Sequence, residues 1–213
     1  MGHEAKMTDQ QGWPACLAIA SKMSREHRPL IIRSARDADI NMIMSWRRER
    51  VAWLAARGEE QWSIPLPRSA VAATVSAGQT WLIWHDQEPV ATITLTLYVD
   101  VDSLWKPDRD PEALWYPEDH PADALYVAKM MVPLRHAGAD LGGEMLDWAS
   151  GRAYEAGLNW LRLDAWTTNV RLHRYYQRQG FRHVRTIESR VSGACFERPA
   201  QPYTGNRLRT ELH

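Results

Sequence analysis

Hydrophobic and polar positions along this chain switch between two periods, and the switches divide it into elements. The strongest apolar run, Leu125-Tyr126-Val127-Ala128-Lys129-Met130-Met131-Val132, stops at Pro133 and predicts a strand. A turn follows from Arg135 to Gly143. Then Met145, Leu146, Ala149, Ala153 and Ala156 recur at three- and four-residue spacing, the stripe of an amphipathic helix. Gly157 closes that helix as a left-handed C-terminal residue does. Trp160 to Trp166 alternates as a half-buried strand. Asn169 stands where an N-cap belongs. Leu172, Tyr175, Tyr176 and Gln179 share one face of the helix it opens, Gly180 ends it, and Phe181 begins another strand.

The preceding half reads in the same way. Residues 1–28 carry little periodicity and are expected to form an arm. Leu30-Ile31-Ile32-Arg33 is a short strand. Asp37 or Asp39 then caps a helix carrying Ile40, Ile43, Met44, Val51 and Leu54, which Gly58 ends. A second helix covers Pro67 to Ala77, with Gly78 as its stop. Thr80–Trp84 and Val90–Val99 are strands joined by a turn over His85-Asp86-Gln87-Glu88-Pro89. Near the far end, His183–Ile187 and Gly193–Glu197 are strands, and residues 200–213 read as a tail. One domain over 29–199 is the organisation expected of 213 residues.

The turn between the Leu125–Val132 strand and its helix is chemically suggestive. Glycines there let backbone amides point outward together, and the unpaired amides and positive end of the helix add to them, which suits an anion. A tight connection with no ligand uses the same residues. The order of parts is more specific. Ala137-Gly138-Ala139-Asp140-Leu141-Gly142 at the turn, Asn169 after the next strand, and Tyr176-Gln177-Arg178-Gln179-Gly180-Phe181 resemble the core of the GNAT acyltransferase superfamily. In two places the chain departs from that pattern. Ala137 stands where the family has Gln or Arg, with Arg135 two places earlier, and Asp140 replaces a central Gly.

The resemblance implies an α/β fold, a central, mostly antiparallel mixed sheet with helices on both faces. It implies acetyl-CoA as cosubstrate, held by Ala137, Gly138, Ala139, Asp140, Leu141, Gly142 and Gly143, by backbone groups of Met131 and Val132, and by Asn169. Tyr176 takes the family's acid position beside the CoA sulfur; by spacing alone it reads as a core aromatic. Attack by an amine also needs a base and a donor to the oxyanion. The implied reaction is direct N-acetylation of a primary amine, without a metal. A peptide N-acetyltransferase and a non-catalytic acyl-CoA sensor are the alternatives.

Charge narrows the partners. Acidic and basic residues balance at 26 each, so no global field favours nucleic acid or an acidic membrane. Cys16 and Cys195 make neither a disulfide framework nor a metal-ligand cluster, and with no apolar run of spanning length a cytoplasmic protein is expected. Eleven Trp suit a ligand groove, a subunit contact such as a homodimer, or the core. Charge is uneven in one place. From Asp100 to Asp123 eight acidic residues face only Lys106 and Arg109, with Trp105, Trp115 and Tyr116 interleaved. That composition suits a cationic amine, with Asp100, Trp115, Asp119 and His120 as candidate contacts, and equally a solvated loop. Asp100, Asp119 and His120 are also the candidates for the base.

Overall fold

The computed structural model describes residues 29–97 and 114–211. The expected arm over 1–28 and the acidic positions from Asp100 to Glu112 lie outside the described residues.

Among the described residues, eight strands form one sheet. In chain order they are β1 (Leu30–Ser34), β2 (Thr80–His85), β3 (Glu88–Thr96), β4 (Ala124–Met131), β5 (Trp160–Ala165), β6 (Arg182–Thr186), β7 (Ala194–Pro199) and β8 (Leu208–Thr210). Across the sheet they run β6-β7-β5-β4-β3-β2-β1-β8. Only β4–β5 and β1–β8 pair in parallel; the rest are antiparallel. Helices α1 (Ile40–Ala55) and α2 (Arg68–Ser76) connect β1 to β2, α3 (Leu141–Glu155) connects β4 to β5, and α4 (Val170–Arg178) connects β5 to β6. This is the mixed α/β architecture expected from the pattern. No described helix is long and apolar enough to cross a membrane.

The alternation of each strand divides its residues between the two faces of the sheet. Ile32, Ile83, Ile93 and Val127 point into a cluster with Leu141, Met145, Leu146 and Ala149 of α3. Leu82 and Met131 point the other way, into a cluster with Ile40, Ile43 and Trp46 of α1 and Val71 and Val75 of α2. Leu146, Leu161 and Phe196 are fully buried, and each contributes about 1.5–3 kcal/mol by leaving water.

Three expectations change. First, residues 200–211 are not a loose tail. Leu208–Thr210 adds β8 to the edge of the sheet, and Trp148 Nε1 donates to Thr210 Oγ1 at 2.9 Å. Gly151 makes this docking possible, since a Cβ there would lie 2.5 Å from the Cβ of Tyr203. The domain therefore extends beyond residue 199.

Second, β5 is not half-buried. Arg162 sits on the face opposite Leu161 and Leu163, yet is buried like them. The 114–123 segment covers it, with Trp115 4.4 Å beneath the guanidinium. Third, neither Asp37 nor Asp39 caps α1 with its side chain. Asp39 accepts instead from the Arg36 backbone N–H at 2.9 Å, closing a short 3-10 turn that precedes the helix.

Candidate active site

The site begins where the sheet comes apart. β4 and β5 pair from Ala124↔Trp160 to Val127↔Leu163 and no further, although β4 continues to Met131 and β5 to Ala165. The cause lies in β4. Its register against β3 shifts between Thr92 and Thr94, and Lys129 adopts a left-handed φ of 49°. Such a bulge bends a strand and ends its pairing. The facing backbone groups beyond Val127 and Leu163 are not partners of one another, which opens a slot for an extended, amide-bearing chain. Met131 borders this slot. Val132 lies at its end, and its carbonyl already accepts from the Arg50 guanidinium of α1.

Beyond Pro133, a 3-10 turn at Leu134–His136 leads through Ala137, Gly138 and Ala139 to α3. Gly138 has φ of 86° with open space around it, so its conformation rather than crowding requires glycine. Asp140 is the N-cap residue, also left-handed at φ 54°, and its side chain makes no capping bond. The amides of Leu141, Gly142 and Gly143 thus stand at the positive end of a helix without a side-chain cap.

Gly142 and Gly143 have a further reason to be glycine. A Cβ on Gly142 would lie 2.2 Å from the Tyr175 hydroxyl, and one on Gly143 would lie 3.0 Å from Gln179 Oε1. Their missing side chains admit α4 against the start of α3. Basic side chains also gather at the turn. Arg207 donates to the Ala139 carbonyl at 3.1 Å, while Arg135 and His136 both reach Glu88 Oε1, at 3.0 and 3.1 Å. The bond from Arg135 holds the Glu88 carboxyl below the usual carboxylate range. Arg207 was invisible in sequence, because only the docking of 200–211 brings it here.

Asn169 caps α4, its Oδ1 accepting from Leu172 N–H at 2.9 Å. Its Nδ2 donates to Gln61 Oε1 at 2.6 Å, tying the α1–α2 connection to α4. Tyr176 is buried, its ring against Phe181, Phe196 and Tyr175. Burial, with smaller contributions from Tyr175 and Asp164, raises its hydroxyl pKa well above the ordinary tyrosine value. The same cause pushes Tyr175 up to about 12 and Cys195 up to about 12, so Cys195 is no thiolate nucleophile near neutral pH.

The substrate candidates are dispersed in role. Trp115 is 1% exposed, in a cluster with Tyr126, Ile187 and Cys195; it packs, and offers no face to a substrate. Asp119 is held by the Arg185 guanidinium, by a second bond at 2.8 Å to the same group and by Tyr116 N–H at 2.7 Å. The bond from Arg185 holds its carboxyl below the usual range. That removes Asp119 from the bases and amine contacts. His120 is exposed, in a left-handed turn at φ 49°. Asp100 lies outside the described residues.

On the α1–α2 face, a cavity of about 50 Å³ lies between Ile43, Arg47, Thr92, Lys129 and Met131. Lys129 Nζ is buried there with no hydrogen-bond partner among the described residues, and burial lowers its pKa to about 8. Reading the sequence left this residue without a role. The signal was a single lysine inside the apolar run of β4.

A sheet split between two parallel strands, with an amide-bearing turn at the end of one of them, can hold an extended, amide-bearing molecule that carries an anionic group. The model of the acetyltransferase (GNAT) family matches residues 41–181, and the chain belongs to that family. An uncharacterized N-acetyltransferase of Bacillus subtilis (strain 168), YesJ, is 29% identical over 132 residues, which span 61% of this chain and 68% of that protein. A GNAT-family acetyltransferase from Listeria monocytogenes 4b F2365 superposes with a TM-score of 0.64 at 20% identity, over 80% of this chain and 94% of the other. The PaiA N-acetyltransferase of Thermoplasma acidophilum, solved with coenzyme A, gives 0.61 at 14% identity, over 81% and 99%.

Proposed function

We propose that this acetyltransferase moves an acetyl group from acetyl-CoA directly to the primary amine of a small molecule. The observation that carries this reading is the split between β4 and β5, with the uncapped amides of α3 at its end. Pantetheine would enter the split as an added strand beside Met131 and Val132, and the pyrophosphate would meet the turn from Ala137 to Gly143. That a similar fold, the Thermoplasma PaiA enzyme, was solved with coenzyme A supports the choice of cosubstrate. Arg207 supplies the cation that Ala137 lacks. Asn169 would turn its Nδ2 from Gln61 to a pantetheine carbonyl while Oδ1 stays on the cap.

In the reaction, the neutral amine attacks the thioester carbonyl, the tetrahedral intermediate collapses, and the C–S bond breaks. Tyr176 gives its proton to the departing thiolate, and the proton shed by the acylated nitrogen returns the tyrosine to its neutral form. Burial keeps its hydroxyl protonated near neutral pH, the form that this task requires. A preference for cationic acceptors rests on the carboxylates between Asp100 and Glu112, because Asp119 is committed to Arg185.

The test follows free thiol released from acetyl-CoA across a panel of primary amines. Amine-dependent release with stoichiometric acetylated product is the expected result. Tight CoA binding without release from any amine would overturn catalysis in favour of a binding module, and release only with peptides would overturn the small-molecule acceptor.

A further inference from the structure

The cavity beneath α1 and α2 combines three independent features at one residue. Lys129 has a left-handed backbone at φ 49° within a strand. Conformations of this kind cost about 1–3 kcal/mol and persist where the surroundings enforce them, often at functional sites. Its side chain lines a cavity instead of reaching water. Its Nζ is buried with no partner among the described residues. A buried ammonium without a counter-charge is among the costliest arrangements in a protein.

The cavity's own inventory identifies what is missing. Of the polar groups lining it, Thr92 Oγ1 donates to the Trp81 carbonyl at 2.9 Å. The hydroxyls of Thr80 and Thr94 pair with each other at 3.1 Å. Arg47, the other charged residue lining it, donates to the carbonyls of Trp62 and Ile64 at 3.2 and 2.8 Å. No carboxylate or histidine stands among the lining residues. Two cations therefore face a small space from α1 and β4, and Lys129 has donors to give. One water needs about 10–15 Å³ of such space, so about 50 Å³ admits a group of a few heavy atoms and no more. Met131 belongs both to this lining and to the strand bordering the acyl slot, which puts the cavity next to where an acceptor would enter.

We infer that this cavity is an anion subsite of the acceptor, in which Lys129 Nζ, with Arg47 beside it, receives a carboxylate. The acceptor is then an amino-acid-like molecule, with one end a primary amine for acetylation and the other a carboxylate for recognition. This deepens the small-amine reading and rests on it, while the subsite itself is a matter of binding and is open to separate measurement.

The experiment uses the full chain with acetyl-CoA and matched acceptor pairs: alanine and ethylamine, leucine and isoamylamine, phenylalanine and phenethylamine. In at least one pair the carboxylated member should have a kcat/KM about 10- to 100-fold higher, the range of one charge-assisted hydrogen bond. Lys129→Met should collapse that ratio toward one, and Lys129→Arg should keep part of it. The wild-type protein gives a reading that needs no variant. The ratio should fall as pH rises through about 8, where Lys129 loses its charge; Arg47 stays charged throughout.

A ratio near one in every pair would overturn the inference, as would a preference that survives in Lys129→Met. So would a kcat that rises through the same pH equally for both members of each pair, which marks a proton acceptor instead. If no amine releases thiol, the acetyltransferase reading fails by itself. Calorimetry of the same amino acids on the CoA-loaded protein then decides the subsite: binding lost in Lys129→Met supports it, and no binding to wild type overturns it.

Discussion

Two buried cations on neighbouring strands met opposite fates in this fold. Arg162 on β5 is saturated by its own chain. Its Nε donates to Glu197 at 2.9 Å, its other nitrogens reach the carbonyls of Asp119 and His120 and the Tyr126 hydroxyl, and Trp115 lies beneath its plane. Lys129 on β4 has nothing comparable. The first arrangement closes a surface: it fastens the 114–123 segment over β5 and engages every nitrogen of the guanidinium within the chain. The second leaves a space open at the cost of stability. A charge neutralised within the chain is architecture, and one left waiting next to a cavity is a place for something else.

Removing the anion from the saturated side should have the largest effect. Glu197→Ala strands Arg162, and also frees Arg182, which shares that carboxylate. The expected loss is about 3–5 kcal/mol, read by urea denaturation. Replacing both partners together, as Arg162→Met with Glu197→Leu, should recover most of it. Equal losses in the single and double variants would mean that charge is not what matters there.

Tyr176 sharpens the contrast as a third buried polar side chain, one whose hydroxyl burial holds protonated. Tyr176→Phe keeps the ring packed and should lower turnover about 10- to 1,000-fold with little change in acetyl-CoA affinity. Single-turnover rates with calorimetry would separate the two. Unchanged turnover would leave Tyr176 as a core aromatic alone.

Lys129→Met should stabilise the protein near pH 7, on the order of 1 kcal/mol, by removing an unpaired buried charge. The sign of its pH dependence is fixed by the direction of the shift. Burial lowers the pKa from 10.5 to about 8, so between those values the unfolded chain holds more protons than the folded one. Wild-type stability then rises with pH in that interval. The advantage of the methionine variant should be largest below pH 8 and shrink toward pH 10.5, as melting curves of both proteins would show. A gap that does not vary with pH would mean that Lys129 is already paired.

The smallest effect concerns a strained backbone of the other kind, at the turn. Asp140 holds φ 54° without a capping bond and without the ion pair to Arg135 that would neutralise it, since Arg135 is on Glu88. Asp140→Gly relieves the conformation and removes a negative charge near the proposed pyrophosphate. Stability should hold or gain a few tenths of a kcal/mol, and CoA should bind a few-fold tighter by calorimetry at low salt. Flat affinity would move the pyrophosphate away from this turn.

Much was legible in the sequence because it is local. Hydrophobic periodicity and breakers such as Gly58, Gly78, Gly157 and Gly180 specify elements through interactions a few residues long, and Asn169 announced its cap. The order of those elements was enough to point to the family. What tertiary structure alone decided involves partners far apart in the chain. Arg207 reaches the turn at Ala139 from 68 residues away. Gly142 accommodates a hydroxyl on another helix, and Gly151 a segment that carried no periodicity of its own. Asp119 read as a free carboxylate until Arg185 was beside it, 66 residues on. Lys129 and Arg162 look alike in sequence, each a single cation in an apolar strand. Which of them finds an anion depends on where the sheet brings Glu197, and no pattern along β4 or β5 contains that information.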